Sequence, residues 1–501
     1  MRPLRALGRA LRAEAYWASC LAMAAACGPE IVPTQGGTGS GTGTGTTAFD
    51  SGDPSVDEST AHELDVAEDD DDRPHCLIDG SCHAFDVVLV IDDSSTMSGE
   101  LLDVSSHLPL LLDELMELQD PHGALIESSI NLMVTTTDVG HPLCAREPGD
   151  APRRGAPVHQ GCNARIEHFT GPDPADPLAP LVLEEACTLG CPVDVVPDDP
   201  FIHFGTGTNV PVDDVYAALS CIGPQGFAGC DYRAPLEAML QAIDPQACWN
   251  DPEQPACDEQ AEWAEVTQGF LRDEAVLVIV IISDGMDCSV APGGYSMFTG
   301  EDQTYWSIDP ATGTPQASPA ICVNAGVSCD DRDDDGIYES CTAVDGEVLH
   351  PVERYVSYLR ELGKRVVMLG ILGVPEVEQH DPNPPFEPVA GGVFDLVYRD
   401  WIDAPYPRGD ILPDPWDAGR RADDERFERG GLAPGCMAPN GEGSLAQALP
   451  PVRVREVCEG LDFVDQEGDL QVRCCIESLC DPDFHQVMRC LYGLVMELPL
   501  E

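Results

Sequence analysis

The sequence predicts an α/β fold in which an open, mostly parallel sheet has helices on both faces and long loops pinned by disulfides. Three observations support this prediction. Short, almost wholly apolar runs recur along the chain, helix-like segments lie between them, and the intervening stretches are polar and rich in Pro, Gly, Asp and Cys. Continuous hydrophobicity is typical of strands that are covered on both faces, and the alternation of strand and helix implies right-handed crossovers.

The individual elements follow from these patterns. Four apolar runs have strand length, at 85–91, 130–136, 275–282 and 365–374. Apolar residues spaced three and four apart predict helices at 99–118, 234–243 and 350–363. The polar inserts, at roughly 141–230, 245–272, 286–348 and 376–450, are predicted loops. Close cysteine pairs are candidates for local disulfides: Cys76/Cys82, Cys221/Cys230, Cys248/Cys257 and Cys480/Cys490.

The N-terminus has the pattern of an export signal. Arginines precede an apolar run, 15–26, that is too short to span a bilayer. Its end, "AAACG" at 24–28, resembles a bacterial lipobox, whose cysteine, here Cys27, is lipidated and begins the mature chain. Cleavage of an ordinary signal peptide nearby is the alternative. The 22 cysteines also favour an oxidising compartment. We therefore expect an exported protein that is lipid-anchored at the outer membrane or cell surface.

The chain is expected to have four parts. Residues 1–27 are the signal peptide with its lipobox, and residues 28–75 are a flexible linker that is first rich in Gly and Thr and then acidic. Residues 76–375 carry the α/β pattern with its insertions. The cysteine-rich extension, 376–501, either packs as part of this α/β domain or forms a small separate lobe. We expect contact with the membrane through the lipid anchor only.

Charge restricts the partners. The chain has 26 basic and 89 acidic residues, a formal net charge of −63, which repels the phosphate backbone of nucleic acids. We therefore expect no nucleic-acid partner and favour cations as ligands. Adaptation of the whole surface for solubility is the alternative explanation for most of these carboxylates. The sequence contains no G-x-S-x-G, H-E-x-x-H or P-loop motif, so an enzyme is not predicted.

Carboxylates and hydroxyls follow two of the predicted strands. Strand 85–91 leads into Asp92, Ser94 and Thr96, and strand 275–282 leads into Asp284. Ligands of open α/β sheets bind outside the carboxyl ends of the strands. Oxygen ligands suit a hard divalent cation and leave positions open for water or a partner's carboxylate. Capping of the helix that follows is the alternative role for the residues after the first strand.

These two stretches resemble a known family. "VVLVIDDSSTM" is similar to the D-x-S-x-S metal-ion-dependent adhesion site of von Willebrand factor type A domains, and "VIVIISDG" to the strand that supplies their later aspartate. The resemblance implies a Rossmann-like fold and a site for Mg²⁺ or another divalent cation, held by Asp92, Ser94, Thr96 and Asp284. The family also uses a threonine from an intervening loop, for which "FGTGTNVPVDDVYAAL" offers Thr208. Four further stretches, "ISDGMDCS" at 282–289, "CVNAGVSC" at 322–329, "HPVERYVSYLRELG" at 350–363 and "SLCDPDFHQVM" at 478–488, resemble cysteine-rich, lipid-anchored type A proteins of myxobacteria-like bacteria.

A second acidic stretch, "DDRDDDGIYES" at 330–340, is a candidate calcium loop. Its carboxylates have D-x-D-x-D-G spacing, and Gly336 permits a sharp turn. The expected ligands are Asp331, Asp333, Asp335, the carbonyl of Ile337 and Glu339. The alternative is a solvated acidic loop between Cys329 and Cys341.

The expected function is binding or adhesion without catalysis. The cation site would engage an unidentified protein of the cell envelope or surface, whose acidic group completes the coordination shell. Two alternatives remain: a metal-dependent hydrolase that uses the same carboxylates, and a structural envelope lipoprotein with a vestigial metal site.

Overall fold

A computed structural model describes residues 82–118, 125–144, 151–172, 179–205, 207–211, 214–247, 270–330, 332–333, 335–403, 406, 411, 421–428, 431–439, 445–465 and 468–496. The chain divides into two units, 1–70 and 71–501, and every described residue belongs to the second. The predicted signal peptide, the lipidation of Cys27 and the linker 28–75 lie outside the described residues.

A six-stranded sheet forms the centre of this unit. Its strands are β1 (Cys82–Ile91), β2 (Glu127–Thr136), β3 (Ile202–Phe204), β4 (Val276–Ile282), β5 (Val366–Leu372) and β6 (Cys474–Ser478). The order across the sheet is β6-β5-β4-β1-β2-β3. Every neighbouring pair is parallel except β2 and β3, which are antiparallel. The sheet is therefore mixed but mostly parallel, which confirms the predicted α/β class.

Apolar helices cover the sheet on both faces. They are α1 (Leu101–His107), α2 (Leu110–Met116), α3 (Val215–Ile222), α4 (Pro235–Ile243), α5 (Val352–Glu361), α6 (Val452–Glu459) and α7 (Phe484–Met496). One apolar cluster joins Val87 and Leu89 of β1 to α1, α2, α3 and α7. A second cluster joins Val88 and Val90 to α4, α5 and α6. Because both faces of β1 are buried, its last five residues, 87–91, are all apolar.

Several shorter elements lie in the inserts. Short helices span Glu185–Thr188, Ala320–Gly326 and Ala422–Glu428, and 3₁₀ turns span Ser95–Gly99, Cys162–Phe169, Tyr295–Phe298 and Gly392–Asp395. Six antiparallel pairs join Thr170–Pro172 to Pro180–Val182, Ser307–Ile308 to Pro315–Gln316, Val327–Cys329 to Cys341–Ala343, Val377–His380 to Pro388–Gly391, Cys436–Pro439 to Leu445–Ala448, and Phe463–Val464 to Leu470–Gln471. None of the helices in the described ranges combines the length and hydrophobicity that crossing a bilayer requires.

Most predicted elements are present, with local differences. The predicted helix 99–118 is divided into α1 and α2, and Pro109 stands directly before α2. Proline lacks the amide that continues a helix, whereas it is tolerated at a helix start. The C-terminal segment contributes β6 to the sheet and α6 and α7 to its two faces.

Disulfides close loops within the inserts and fasten the C-terminal elements to β6 or to the residues after it. Among the described residues eight are present: Cys144–Cys230, Cys162–Cys187, Cys191–Cys221, Cys288–Cys322, Cys329–Cys341, Cys436–Cys480, Cys458–Cys474 and Cys475–Cys490. The predicted pairs Cys221/Cys230 and Cys480/Cys490 are therefore wrong. Cys221 and Cys230 are close in sequence but belong to different apolar clusters, each with another cysteine beside it. The other two candidate pairs involve residues outside the described part of the chain.

Candidate functional site

The sheet brings the two predicted halves of the site to one edge. In the parallel register, Ile91 of β1 lies opposite Ile282 of β4, so both strands end at the same level. The amide of Asp92 donates a hydrogen bond to the carbonyl of Ile282, at 2.9 Å. Asp284 follows two residues after Ile282 and is 2 % exposed. Asp92, Ser94, Thr96 and Asp284 are called the strand-end site below.

The turn after β1 directs its side chains into this site. The amide of Ser94 donates to Asp92 Oδ1 at 2.9 Å, which closes a local turn. Ser94 is the N-cap residue of the turn Ser95–Gly99, but its hydroxyl makes no capping hydrogen bond. That hydroxyl lies 3.3 Å from Thr96 Oγ1 instead. Ser94 and Thr96 therefore present two hydroxyl oxygens beside the carboxylate of Asp92.

The guanidinium of Arg233 lies among these four residues. Its Nε is 3.0 Å from Asp92 Oδ2, and its Nη2 is 3.3 Å from Asp284 Oδ1. Nε and Nη2 donate to Ser94 Oγ at 3.0 and 2.8 Å, and Nη2 also donates to Thr96 Oγ1. Arg233 comes from the loop that leads into α4. One buried cation therefore contacts every residue of the strand-end site.

Asp92 has both carboxylate oxygens engaged. Besides Ser94 and Arg233, it accepts from Ser283 Oγ at 2.5 Å and from Thr137 Oγ1 at 3.4 Å. Ser283 and Thr137 directly follow β4 and β2, the two neighbours of β1 in the sheet. Three adjacent strands thus supply hydrogen bonds that fix the orientation of Asp92.

Further buried carboxyl groups, Glu100 and Asp93, lie beside the site. Both carboxyl oxygens of Glu100 are buried. Burial, followed by the charge of Asp284, raises the pKa of Glu100 well above its usual range. Burial raises the pKa of Asp284 to about 7, against the opposing effect of Arg233. Burial also raises the pKa of Asp93, and the charges of Asp138 and Asp92 add to that shift.

These carboxylates keep Arg233 charged. Burial alone would lower the pKa of Arg233, but the charges of Asp284 and Asp92 outweigh burial and raise that pKa above its usual value. A buried guanidinium that forms ion pairs with two carboxylates and donates hydrogen bonds to two hydroxyls is a favourable arrangement for this group.

The strand-end site fits a guanidinium rather than a metal ion. Its oxygen-only ligands are the type that Mg²⁺ and Ca²⁺ prefer. Arg233 already makes hydrogen bonds or ion pairs with all four residues, so a divalent ion held by the same oxygens would lie against a second positive charge. The expected metal therefore does not fit while Arg233 remains in place.

Thr208 is not brought to this site. β3 runs antiparallel to β2, with Ile202 opposite Leu132 and Phe204 opposite Ile130, so β3 leads away from the carboxyl ends of the parallel strands. Thr208 forms an isolated bridge with Phe204 at that far end. It is exposed, and its hydroxyl accepts a hydrogen bond from the amide of Val210. The expectation that Thr208 completes the cation site is therefore wrong. The residue that a loop brings into the site is Arg233.

The candidate calcium loop holds its turn through its own hydrogen bonds. Asp333 Oδ1 accepts from the amides of Asp335 and Ile337, each at 2.9 Å. The carbonyl of Ile337 accepts from the amide of Asp333, also at 2.9 Å. Asp335 and Glu339 are exposed, and Asp331 lies outside the described residues. Calcium binding by this loop stays a prediction.

Within the part of the chain that the structure describes, three other groups of atoms are close enough together to hold a metal. They are Asp138 with Cys144 and Cys230, Asp194 with Cys162 and Cys191, and Glu477 with Cys475 and Cys490. Every one of these cysteines is disulfide-bonded, so none supplies a thiolate. The atoms of each group are close together because disulfide-bonded cysteines lie beside a carboxylate.

Sequence reasoning missed Arg233. It stands in "AGCDYRAPLEAML", directly before α4, in a stretch that contains no threonine. The available signal was its rarity, since arginine and lysine together number 26 in 501 residues. A lone arginine before a helix carries no pattern that assigns it to a site whose predicted ligands are all oxygen atoms. Comparison with known proteins adds no relative, since no protein-family model and no curated protein sequence matches the chain.

Proposed function

We propose that this protein is an exported, lipid-anchored binding module of the cell envelope, with a fold of the von Willebrand factor type A kind, that engages an acidic group of a protein partner at the strand-end site. One observation carries the proposal. Asp92, Ser94 and Thr96 are nearly 200 residues from Asp284 in sequence, yet all four contact one buried cation at the carboxyl edge of the sheet.

The surroundings support a role outside the reducing cytosol. Eight disulfides among the described residues are compatible with an exported protein. Anchoring through Cys27 remains a proposal from the sequence. A guanidinium N–H of Arg233 would donate a hydrogen bond to a partner's carboxylate on contact, whereas the net negative charge of the chain repels nucleic acid at longer range.

A binding role is favoured over a metal-dependent hydrolase. Such an enzyme needs an ion with an open position for the attacking water. Arg233 contacts the oxygens that would hold this ion. The structural alternative, an envelope protein with an inert site, is favoured by the burial of Arg233, whose side chain is only 6 % exposed. Capture of a partner distinguishes the two roles.

The test is capture of envelope proteins on the immobilised, purified protein. Thr96 is exposed at the mouth of the site, so Thr96→Tyr would block it, and Thr299→Tyr is a control at an exposed position elsewhere. We expect a protein that is retained by the wild type and by the control but lost with Thr96→Tyr. Equal retention by all three would contradict the proposed site. Retention of no protein would favour the structural role.

A further inference from the structure

We propose that Arg233 is the resident cation of the strand-end site, so that the site is complete without a metal and binds a divalent ion only when Arg233 is removed. The four predicted ligand residues supply the argument. Each of them already contacts the guanidinium, at 2.8 to 3.3 Å for Ser94, Asp92 and Asp284. A divalent ion on the same oxygens would require Arg233 to leave.

The surroundings of Arg233 are shaped to hold it. Gly285 lies directly against its guanidinium, and a Cβ at that position would come within 1.9 Å of Nη1. The loop continues from Arg233 into α4, whose first turn is tied to the segment after β4, because Asp287 Oδ1 accepts from the amide of Leu236 at 3.2 Å. The amide of Cys288 also donates to the carbonyl of Arg233 at 2.7 Å. The backbone of Arg233 is thus fixed on the same segment that carries Asp284.

Charge gives the second step of the argument. The guanidinium contacts two carboxylates, Asp92 and Asp284, at a depth where its side chain is 6 % exposed. Removal of a buried cation from two carboxylates leaves them without compensation, unless another cation takes its place. The same oxygens that now hold Arg233 would then present a vacant, negatively charged pocket with two hydroxyls, which is the ligand set of a Mg²⁺ or Mn²⁺ site.

One nitrogen of the guanidinium makes no contact with the strand-end site. Nε and Nη2 make all the contacts of Arg233 with the strand-end site, and Nη1 has no hydrogen-bond partner within the described ranges. If the proposed function holds, a partner's carboxylate is recognised by this nitrogen and by the neighbouring exposed Thr96. Partner binding would then need no added metal and would resist EDTA.

The experiment measures Mn²⁺ binding by electron paramagnetic resonance and Mg²⁺ binding by calorimetry on the purified full chain. Four proteins are compared: wild type, Arg233→Thr, Arg233→Lys, and Arg233→Thr combined with Asp92→Asn. Weak binding to surface carboxylates is shared by all four, so the difference in stoichiometry reports this site. We expect Arg233→Thr to bind one additional ion per chain. Wild type, Arg233→Lys and the double variant should lack it, since they keep a cation or lose a carboxylate.

Thermal unfolding provides an independent measurement. Arg233→Thr should melt at a lower temperature than the wild type in EDTA and should recover in saturating Mg²⁺, because a ligand of the folded state raises its stability. At equal ionic strength, the melting temperature of the wild type should be the same in EDTA and in Mg²⁺. The same should hold for Arg233→Lys. Absence of the additional ion from a folded Arg233→Thr protein would overturn the proposal.

A wild-type ion that disappears in the single variant Asp92→Asn would also overturn it, and this comparison does not require Arg233→Thr to fold. No partner is used in these measurements, so they decide the role of Arg233 even if capture from the envelope fails. Where a partner is captured, its release by EDTA from the wild type would contradict metal-free recognition.

Discussion

At the scale of single residues, Asp92 holds the largest number of connections in the strand-end site. It joins Arg233, Ser283, Thr137 and the amide of Ser94 while being 1 % exposed. We expect Asp92→Ala to destabilise the fold by about 3–5 kcal/mol, because it leaves the buried charge of Arg233 partly uncompensated. Denaturant unfolding measures this, with Asp273→Ala as an exposed control that should stay within about 0.5 kcal/mol of the wild type. Equal losses of stability in both variants would show that Asp92 does not compensate the buried charge of Arg233.

Gly285 offers a separate test of the space that Arg233 fills. A Cβ there would overlap the guanidinium, at 1.9 Å from Nη1, 2.3 Å from Cδ and 2.4 Å from Cζ. We expect Gly285→Ala to destabilise the protein by about 1–3 kcal/mol, because the side chain of Arg233 must shift within a packed site. Gly300→Ala is the matched control, since no atom lies within 4 Å of its Cβ position. Unfolding curves of equal midpoint for the two variants would argue against this position of Arg233.

The limits of sequence reasoning are visible at the same scale. Asp92 and Asp284 could be proposed from sequence because each follows an apolar run, and strand ends of a parallel sheet share one edge. Arg233 could not, because its contact with them depends on the path of a loop and on a glycine that makes room for the guanidinium. The same limit explains Thr208, whose loop belongs to an antiparallel strand that leads to the other end of the sheet.

At the scale of elements, β6 shows why an edge strand escaped prediction. Its sequence, Cys474–Ser478, contains one aliphatic residue and a glutamate, so no apolar run marks it. All five residues are nevertheless buried, because α6 and α7 pack on its two sides and disulfides join it to both helices. The central strands β1, β4 and β5 were predictable because each contains a run of aliphatic residues that marks a buried strand in the sequence.

A pH-dependent stability follows from the burial of Glu477 in β6. Its Oε1 lies 2.9 Å from His380 Nε2, and burial raises its pKa to about 7 although the contact with His380 lowers it. A glutamate carboxyl in water has an ordinary pKa of 4.5, so the unfolded state releases the proton at a lower pH than the folded state does. Folding stability therefore falls as pH rises from about 4.5 to 7, by up to about 3 kcal/mol.

Glu477→Gln tests this sign. We expect the variant to be more stable than the wild type at pH 8, because glutamine has no proton to lose, and the difference should shrink at pH 5. Thermal melting at the two pH values measures it. Glu361→Gln, at an exposed position of α5, is the control, and its stability should differ from that of the wild type by the same small amount at pH 5 and at pH 8. A Glu477→Gln advantage that is larger at pH 5 than at pH 8 would reverse the assigned direction.

At the scale of the whole molecule, two features act in opposite directions. Apolar clusters on both faces of the sheet, together with the disulfides of the inserts, favour the folded chain. The net charge of −63 opposes it through self-repulsion. The net charge could be read from the composition alone, and the apolar clusters could be predicted from the apolar runs of the sequence. The disulfide partners could not all be predicted, because some cysteines that are neighbours in the sequence belong to different apolar clusters, as Cys221 and Cys230 do.

The balance between these features predicts how salt affects stability. At about 10 mM ionic strength the screening length is about 30 Å, so most carboxylates of the chain repel one another, whereas at about 1 M it is about 3 Å. We expect the melting temperature at neutral pH to rise steadily with NaCl over this range. At pH 4, near the usual pKa of carboxyl groups, many of the 89 acidic residues lose their charge and the salt response should be much smaller. A melting temperature that is constant or falls with NaCl at neutral pH would mean that acidic repulsion does not limit the stability of this fold, and that the buried sites set it instead.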